Sequence, residues 1–105
     1  MATGRLAAAD LAAGTNTTVY TTPTDIFSVV SVNITNRGNQ PTVINVAIAD
    51  LDTPTLGEYI EFESELDPKA ILERTGIVLA ATQKIVVRSS QANVSVVAFG
   101  IETTA

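Results

Sequence analysis

Residues Ile26–Thr35, which read IFSVVSVNIT, have the strongest strand pattern in this chain. Its β-branched residues are typical of a β-strand, and the alternate positions from Val30 to Ile34 are all apolar. Phe27 and Val29, on the opposite parity, are apolar as well, so the first half of the strand is predicted to be buried on both faces. We therefore predict a central strand over residues 26–35.

The same β-rich composition recurs along the chain on both sides of this strand. Further strands are predicted over residues 17–21, 43–49, 59–64, 71–79, 84–89 and 93–101. In the 59–64 strand, Ile60 and Phe62 are expected to point inward. Gly76 lies within a strand and predicts a bulge. The short 80–83 connection predicts a hairpin.

Strands at intervals of roughly 8–12 residues favour an all-β, antiparallel β-sandwich. We predict a jelly-roll-like topology, with an immunoglobulin-like sandwich as the alternative, since the sequence does not decide between them. The residues with inward parity are the expected core: Ile26, Val30, Val32, Ile34, Ile44, Val46, Ile48, Ile60, Phe62, Ile77, Leu79, Val86, Val94, Val96 and Ala98.

The first residues differ in character from the rest of the chain. Residues 1–14 are rich in small residues and show no strand or helix period. Residues 7–13 could form one or two helical turns that end at Gly14. We predict that residues 1–14 are an N-terminal arm that orders against a partner, and that residues 15–105 form the β-sandwich domain.

Composition restricts the chemistry available to the protein. The chain has no His, Cys or Trp, and charged residues make up 16% of it, with a net charge of −5. The six cations are dispersed, whereas nucleic-acid binding requires clustered Lys and Arg. We expect no nucleic acid, membrane, metal or cofactor as a ligand, and no enzymatic activity. Neutral outward faces suit burial against other protein.

Several stretches resemble a known family over nearly the whole chain. The most specific is AILERTGIVL at residues 70–79. The others are GRLA at 4–7, NTTVY at 16–20, NITNR at 33–37, KIVV at 84–87, NVSV at 93–96 and FGIE at 99–102. Together they resemble small virion structural proteins of tailed bacteriophages, notably contractile-tailed phages of cyanobacteria.

The resemblance implies a non-enzymatic component of the virion, assembled in the host cytoplasm. It implies a β-sandwich present in multiple copies as capsid cement or decoration, or as a neck or tail component. The partners would be major capsid, neck or tail subunits, and the chain would be a homo-oligomer in the particle. The alternative is a receptor- or carbohydrate-binding module of a tail fibre or baseplate, although the chain has few aromatic residues for a binding groove.

The predicted partner interface combines the arm with charged strand positions. Glu61, Glu63 and Glu65 alternate along one strand and are expected to share an outward face. Arg74 follows Glu73 within an apolar strand, so the two face opposite sides and Arg74 requires another partner. The candidate interface residues are Arg5, Leu6, Leu11, Glu61, Glu63, Glu65 and Arg74.

Overall fold

Eight β-strands build two four-stranded antiparallel sheets in the computed structural model, which describes residues 2–104. A single turn of 3₁₀ helix, Leu56–Glu58, precedes the fifth strand. The strands are β1 Thr3–Leu11, β2 Thr17–Thr21, β3 Ile26–Asn36, β4 Thr42–Ala49, β5 Tyr59–Leu66, β6 Ile71–Leu79, β7 Lys84–Ser89 and β8 Val94–Thr104.

The strand order is that of a jelly roll. Sheet A has the order β1–β8–β3–β6 and sheet B the order β2–β7–β4–β5. The chain therefore crosses to the other sheet after every strand except β4, which pairs with β5. An immunoglobulin-like sandwich keeps several consecutive strands within one sheet, so this order differs from it. The prediction of an all-β, jelly-roll-like sandwich is confirmed.

The core lies between the two sheets and contains most of the predicted residues. Val30, Val32, Ile34, Ile44, Val46, Ile77, Leu79, Val94, Val96 and Ala98 are buried in it. Ile48 and Ile60 are partly buried and pack against it. The core also contains Leu11, Tyr20, Leu66, Ile85 and Val87, which the parity argument did not assign to it.

Two strands depart from the predicted burial. Strand β7 points the opposite set of residues toward the core, and β3 is less buried than predicted at its first position. In β7, Ile85 and Val87 face the core, opposite Ile48 and Val46 of β4. Val86 is buried, but on the outer face of sheet B, because its neighbours on both sides point inward. Ile26, at the first position of β3, is only half-buried.

A bulge in β5 reverses its predicted alternation. The pairing with β4 shifts between Ile44 and Val46, and Glu63 has a φ of 51°. The extra residue places Ser64 and Glu61 on the same side of the strand, opposite Ile44 and Val46, and turns Phe62 outward. Phe62 is 53% exposed, so its assignment to the core was wrong.

The N-terminal segment is part of the sandwich. Thr3–Leu11 is strand β1 and pairs along its length with β8, which contradicts both the separate 1–14 arm and the short helix over residues 7–13. The Ala-rich segment has no local preference for a strand, and its extended form comes from pairing with a strand some ninety residues away in the sequence. Met1 lies outside the described residues.

Two turn predictions have different outcomes. The bulge at Gly76 is confirmed, since the β3–β6 register shifts there and Gly76 has a φ of 69°. The 80–83 connection is not a hairpin, because β6 belongs to sheet A and β7 to sheet B. A connection between sheets and a hairpin can have the same length, so the turn residues did not distinguish them.

Tyr20 joins the two sheets through a hydrogen bond. Its side chain is buried in the core, and its hydroxyl donates to Oε2 of Glu102 on β8 over 2.5 Å. The amide of Ala2 donates to Oε1 of the same carboxylate over 3.0 Å. Burial raises the pKa of Tyr20, and the hydrogen bond to the Glu102 carboxylate raises it further.

This raised pKa predicts a loss of stability at alkaline pH. An unfolded tyrosine loses its proton near pH 10, whereas the native Tyr20 keeps its proton, so deprotonation favours the unfolded state. The stabilisation is complete below about pH 10 and falls as the pH rises above it. Urea unfolding of Tyr20→Phe should show a smaller loss between pH 9.5 and pH 11, together with about 1–2 kcal/mol lower stability at pH 7.

Tyr59→Phe is the matched control, because it keeps Tyr20 and should keep the alkaline loss. If Tyr20→Phe and the wild-type protein lost stability in parallel above pH 10, the hydrogen bond would not couple folding to this proton.

Candidate interaction surface

The outer face of sheet A carries a row of apolar side chains across three strands. Val78 of β6, Val29 of β3 and Ile101 of β8 are register partners and all point away from the core. Val78 is 62% exposed and Ile101 is 47% exposed. Phe99 on β8 and Phe27 on β3 extend the same face and are 37% and 36% exposed. We call these five residues the apolar face.

The centre of the outer face of sheet B is covered by the chain itself. Ala47 and Ala49 of β4 and Val86 of β7 point outward yet are buried. The loop of residues 50–58 reaches across this face, where the hydroxyl of Thr18 on β2 donates to Oδ1 of Asp52 over 2.6 Å. Since Thr18 pairs with Val86, the loop passes over the centre of sheet B.

A carboxylate holds this covering loop in shape. Glu58 accepts hydrogen bonds from the amides of Thr55, at 2.8 Å, and Asp50, at 3.2 Å. The bond from the Thr55 amide lowers the pKa of Glu58. These hydrogen bonds make the loop an ordered cover over sheet B. Within residues 2–104, no loop is held over the apolar face by hydrogen bonds in this way.

Arg74 and Glu61 form an ion pair between edge strands of the two sheets. Arg74 on β6 points to the inner side of sheet A, and its Nη1 lies 2.9 Å from Oε2 of Glu61 on β5. The hydroxyl of Ser64 donates to the other oxygen of Glu61 over 2.6 Å. The predicted need of Arg74 for a partner is met inside the chain, by a residue that was itself assigned to the predicted interface.

The three predicted residues of the N-terminal segment lie in different environments. Arg5 points outward from β1 beside Phe99 and is exposed. Leu6 is the extra residue of a bulge in β1 and packs against the core. Leu11 is buried in the core, where the chain's own sheets cover it, so it cannot contact a partner.

Glu63 and Glu65 are exposed on β5, an edge strand of sheet B. Because Glu61 points inward, the three glutamates do not form the single acidic face that was predicted. The amide of Glu63 donates to Oδ1 of Asn45, which fixes the bulge. Glu63 and Glu65 lie on the opposite sheet from the apolar face.

The other chemical candidates are dispersed. Within residues 2–104, no three Asp or Glu side chains converge as metal ligands would, and no pocket is present. No helix in this part of the chain has the length and hydrophobicity needed to cross a membrane. Tyr59 packs edge-on against Phe62, with ring centroids 5.1 Å apart, and Tyr20 lies in the core.

The apolar face was missed as a site, although part of its signal was present. The apolar residues Phe27 and Val29 on the second parity of β3 were interpreted as burial on both faces of that strand. Their partners Ile101 and Val78 come from strands whose register only the fold establishes. The same two-sided pattern is produced by a strand covered by its own chain and by one that a partner covers.

Comparison with protein-family models, with curated proteins and with solved structures finds no match to this chain.

Proposed function

We propose that this protein is a non-enzymatic structural component of a phage virion, and that it adheres to neighbouring subunits through the apolar face. The observation that carries the proposal is the row Val78–Val29–Ile101, which is apolar and partly exposed on the outer face of sheet A. The resemblance of the sequence to small virion proteins, through the AILERTGIVL stretch and the shorter stretches given above, supports the same role.

The physical basis of adhesion is burial of apolar area. Removing apolar surface from water contributes about 25 cal/mol per Å², so a row of half-exposed Val, Ile and Phe side chains favours covering by another protein. Sheet B, where the 50–58 loop already covers the centre of the outer face, gains less from such contact. In a particle, symmetry repeats each modest contact, and simultaneous engagement of many copies adds avidity.

Incorporation into particles tests this proposal. In the phage that encodes the chain, the wild-type protein should remain with gradient-purified virions in a constant ratio to the major capsid protein. A variant with Val78→Lys and Ile101→Lys should be incorporated at least about tenfold less, because two charges in a closed contact cost more than the 1.4 kcal/mol that a factor of ten requires. Quantitative mass spectrometry of the particles measures the ratio.

The matched control is Leu51→Lys with Leu56→Lys. These two leucines are exposed apolar residues of the loop that covers sheet B, so the control adds the same charge away from the apolar face. It should be incorporated as the wild-type protein is. Absence of the wild-type chain from purified particles, or equal incorporation of both double variants, would contradict the proposal.

A further inference from the structure

We infer that the apolar face is the contact between two copies of this chain, packed face to face about a two-fold axis parallel to the strands. This inference rests on the proposed function, which uses the same face, and it names the partner as a second copy. Two features carry it: the positions of two charges at the margins of sheet A, and the area of the face.

Arg5 and Glu73 flank the apolar face on opposite sides. Arg5 lies on β1 at one edge of sheet A, and Glu73 lies on β6 at the other. Both are exposed, and Glu73 points to the same outer side through its pairing with Asn33. Within residues 2–104 neither forms an ion pair, whereas Asp10, which also points outward from β1, is bound by Arg37.

The register places the two charges one cross-strand row apart. Arg5 pairs with Phe99, which pairs with Ser31. Glu73 pairs with Asn33, two residues further along β3. Alternate residues of a strand lie roughly 6–7 Å apart. The levels of Arg5 and Glu73 along the strand direction therefore differ by this amount, an offset that an arginine side chain spans.

A two-fold axis parallel to the strands makes this face complementary to itself. Rotation about that axis places β1 of one copy over β6 of the other, and β8 over β3. Ile101 of each copy then meets Val29 of the second copy, so the apolar rows cover each other. Arg5 of each copy lies next to Glu73 of the second copy, and symmetry produces two such pairs.

The other two-fold arrangement in the plane of the contact is unfavourable. An axis perpendicular to the strands places β1 over β1 and β6 over β6. Arg5 would then share a margin with Arg5 of the second copy, and Glu73 with its own equivalent. Like charges brought together at the edge of a closing contact oppose association, so the charges select the parallel axis.

The outer face of sheet A is large enough for a specific dimer. Four strands about 4.8 Å apart, over about nine residues of about 3.3 Å each, give a face of roughly 19 by 30 Å. Two copies would bury about 1,100 Å², which exceeds the roughly 1,000 Å² expected of a specific contact. Packed sheets whose strands run within about 30° of each other are a common arrangement, and a two-fold axis parallel to the strands produces it.

Charge reversal tests the arrangement in the purified full chain. By sedimentation velocity over a range up to about 200 μM, the wild-type protein should associate from the 11.0 kDa monomer to a dimer. Arg5→Glu and Glu73→Arg should each raise the dimer Kd at least about tenfold, because each creates two like-charge contacts. The double variant Arg5→Glu with Glu73→Arg restores both pairs and should return the Kd to within about threefold of wild type.

Glu65→Arg is the matched control, because it makes the same change in net charge as Glu73→Arg on an exposed strand of sheet B. It should leave the Kd unchanged, and circular dichroism should show the wild-type fold for all variants. A wild-type monomer throughout the concentration range, an assembly other than a dimer, or a double variant no better than the single ones would overturn the inference. Since particle incorporation is measured separately, a monomer that still enters virions would refute only the two-fold contact.

Discussion

Substitution of Gly100 by alanine is expected to destabilise the protein by about 3–5 kcal/mol, a large part of the stability of a domain of this size. Gly100 lies in the centre of β8, between Gly4 of β1 and Val30 of β3. A Cβ atom built on Gly100 would lie 2.0 Å from the carbonyl oxygen of Val29 and 3.0 Å from Cα of Val30. Both atoms belong to the backbone of the central strand, so neither can move without breaking the β3–β8 ladder.

Urea unfolding measures this effect, and the soluble yield reports it if the variant does not fold. Gly57→Ala is the matched control, because no atom lies within 4 Å of the Cβ position there. The control should remain within about 0.5 kcal/mol of wild type. A Gly100→Ala protein with wild-type stability would show that β3 and β8 do not approach as closely as described.

Substitution of Asn36 by alanine is expected to cost about 2–4 kcal/mol. Asn36 is buried at the end of β3, and its Nδ2 donates to the carbonyl oxygens of Gln40, Leu66 and Asp67 at 2.8, 3.2 and 3.2 Å. Its Oδ1 accepts from the amide of Gly38 at 3.0 Å. The side chain thus joins the β3–β4 turn to the β5–β6 connection, and its removal leaves buried carbonyl groups without this donor.

Asn36→Asp separates the loss of hydrogen bonds from the loss of packing. The aspartate has nearly the same shape, but as a carboxylate it cannot donate to the three carbonyl oxygens and repels them. We expect it to be at least as destabilising as alanine at pH 7, and less so at pH 3, where protonation restores one donor.

Asn39→Ala, at an exposed position of the same turn, should stay within about 0.5 kcal/mol of wild type. Chemical denaturation at the two pH values makes the comparison. Equal stability of Asn36→Asp and the wild-type protein at pH 7 would contradict the role given to the amide.

Strand positions were predictable because they depend on local pattern. The predicted bounds of β2, β6 and β7 match the structure, and those of β3 differ by one residue. The predicted alternation is wrong in β5, because the bulge at Glu63 gives the residues before and after it opposite parity. No glycine at this position indicates the bulge. The predicted alternation is also wrong for Val86, since both faces of β7 are buried and local parity cannot tell the core from a face that a loop covers.

The candidate surface was less predictable than the strands. Of the three interface residues predicted in the N-terminal segment, Arg5 is exposed, whereas Leu6 packs against the core and Leu11 lies in it. The pairing of Arg74 with Glu61 joins the edges of two different sheets, so the spacing of these residues in the chain carries no information about it. Val29, Val78 and Ile101 come together only when β3, β6 and β8 lie side by side.

The sequence alone predicts an all-β sandwich, most of its strands and most of its core, because β-branched alternation and turn residues act over a few neighbours. The tertiary fold is needed to show that the Ala-rich start is strand β1, that a loop covers the centre of one sheet, and that the other sheet exposes an apolar face. These features depend on pairing between strands tens of residues apart, where register and burial arise from the whole fold.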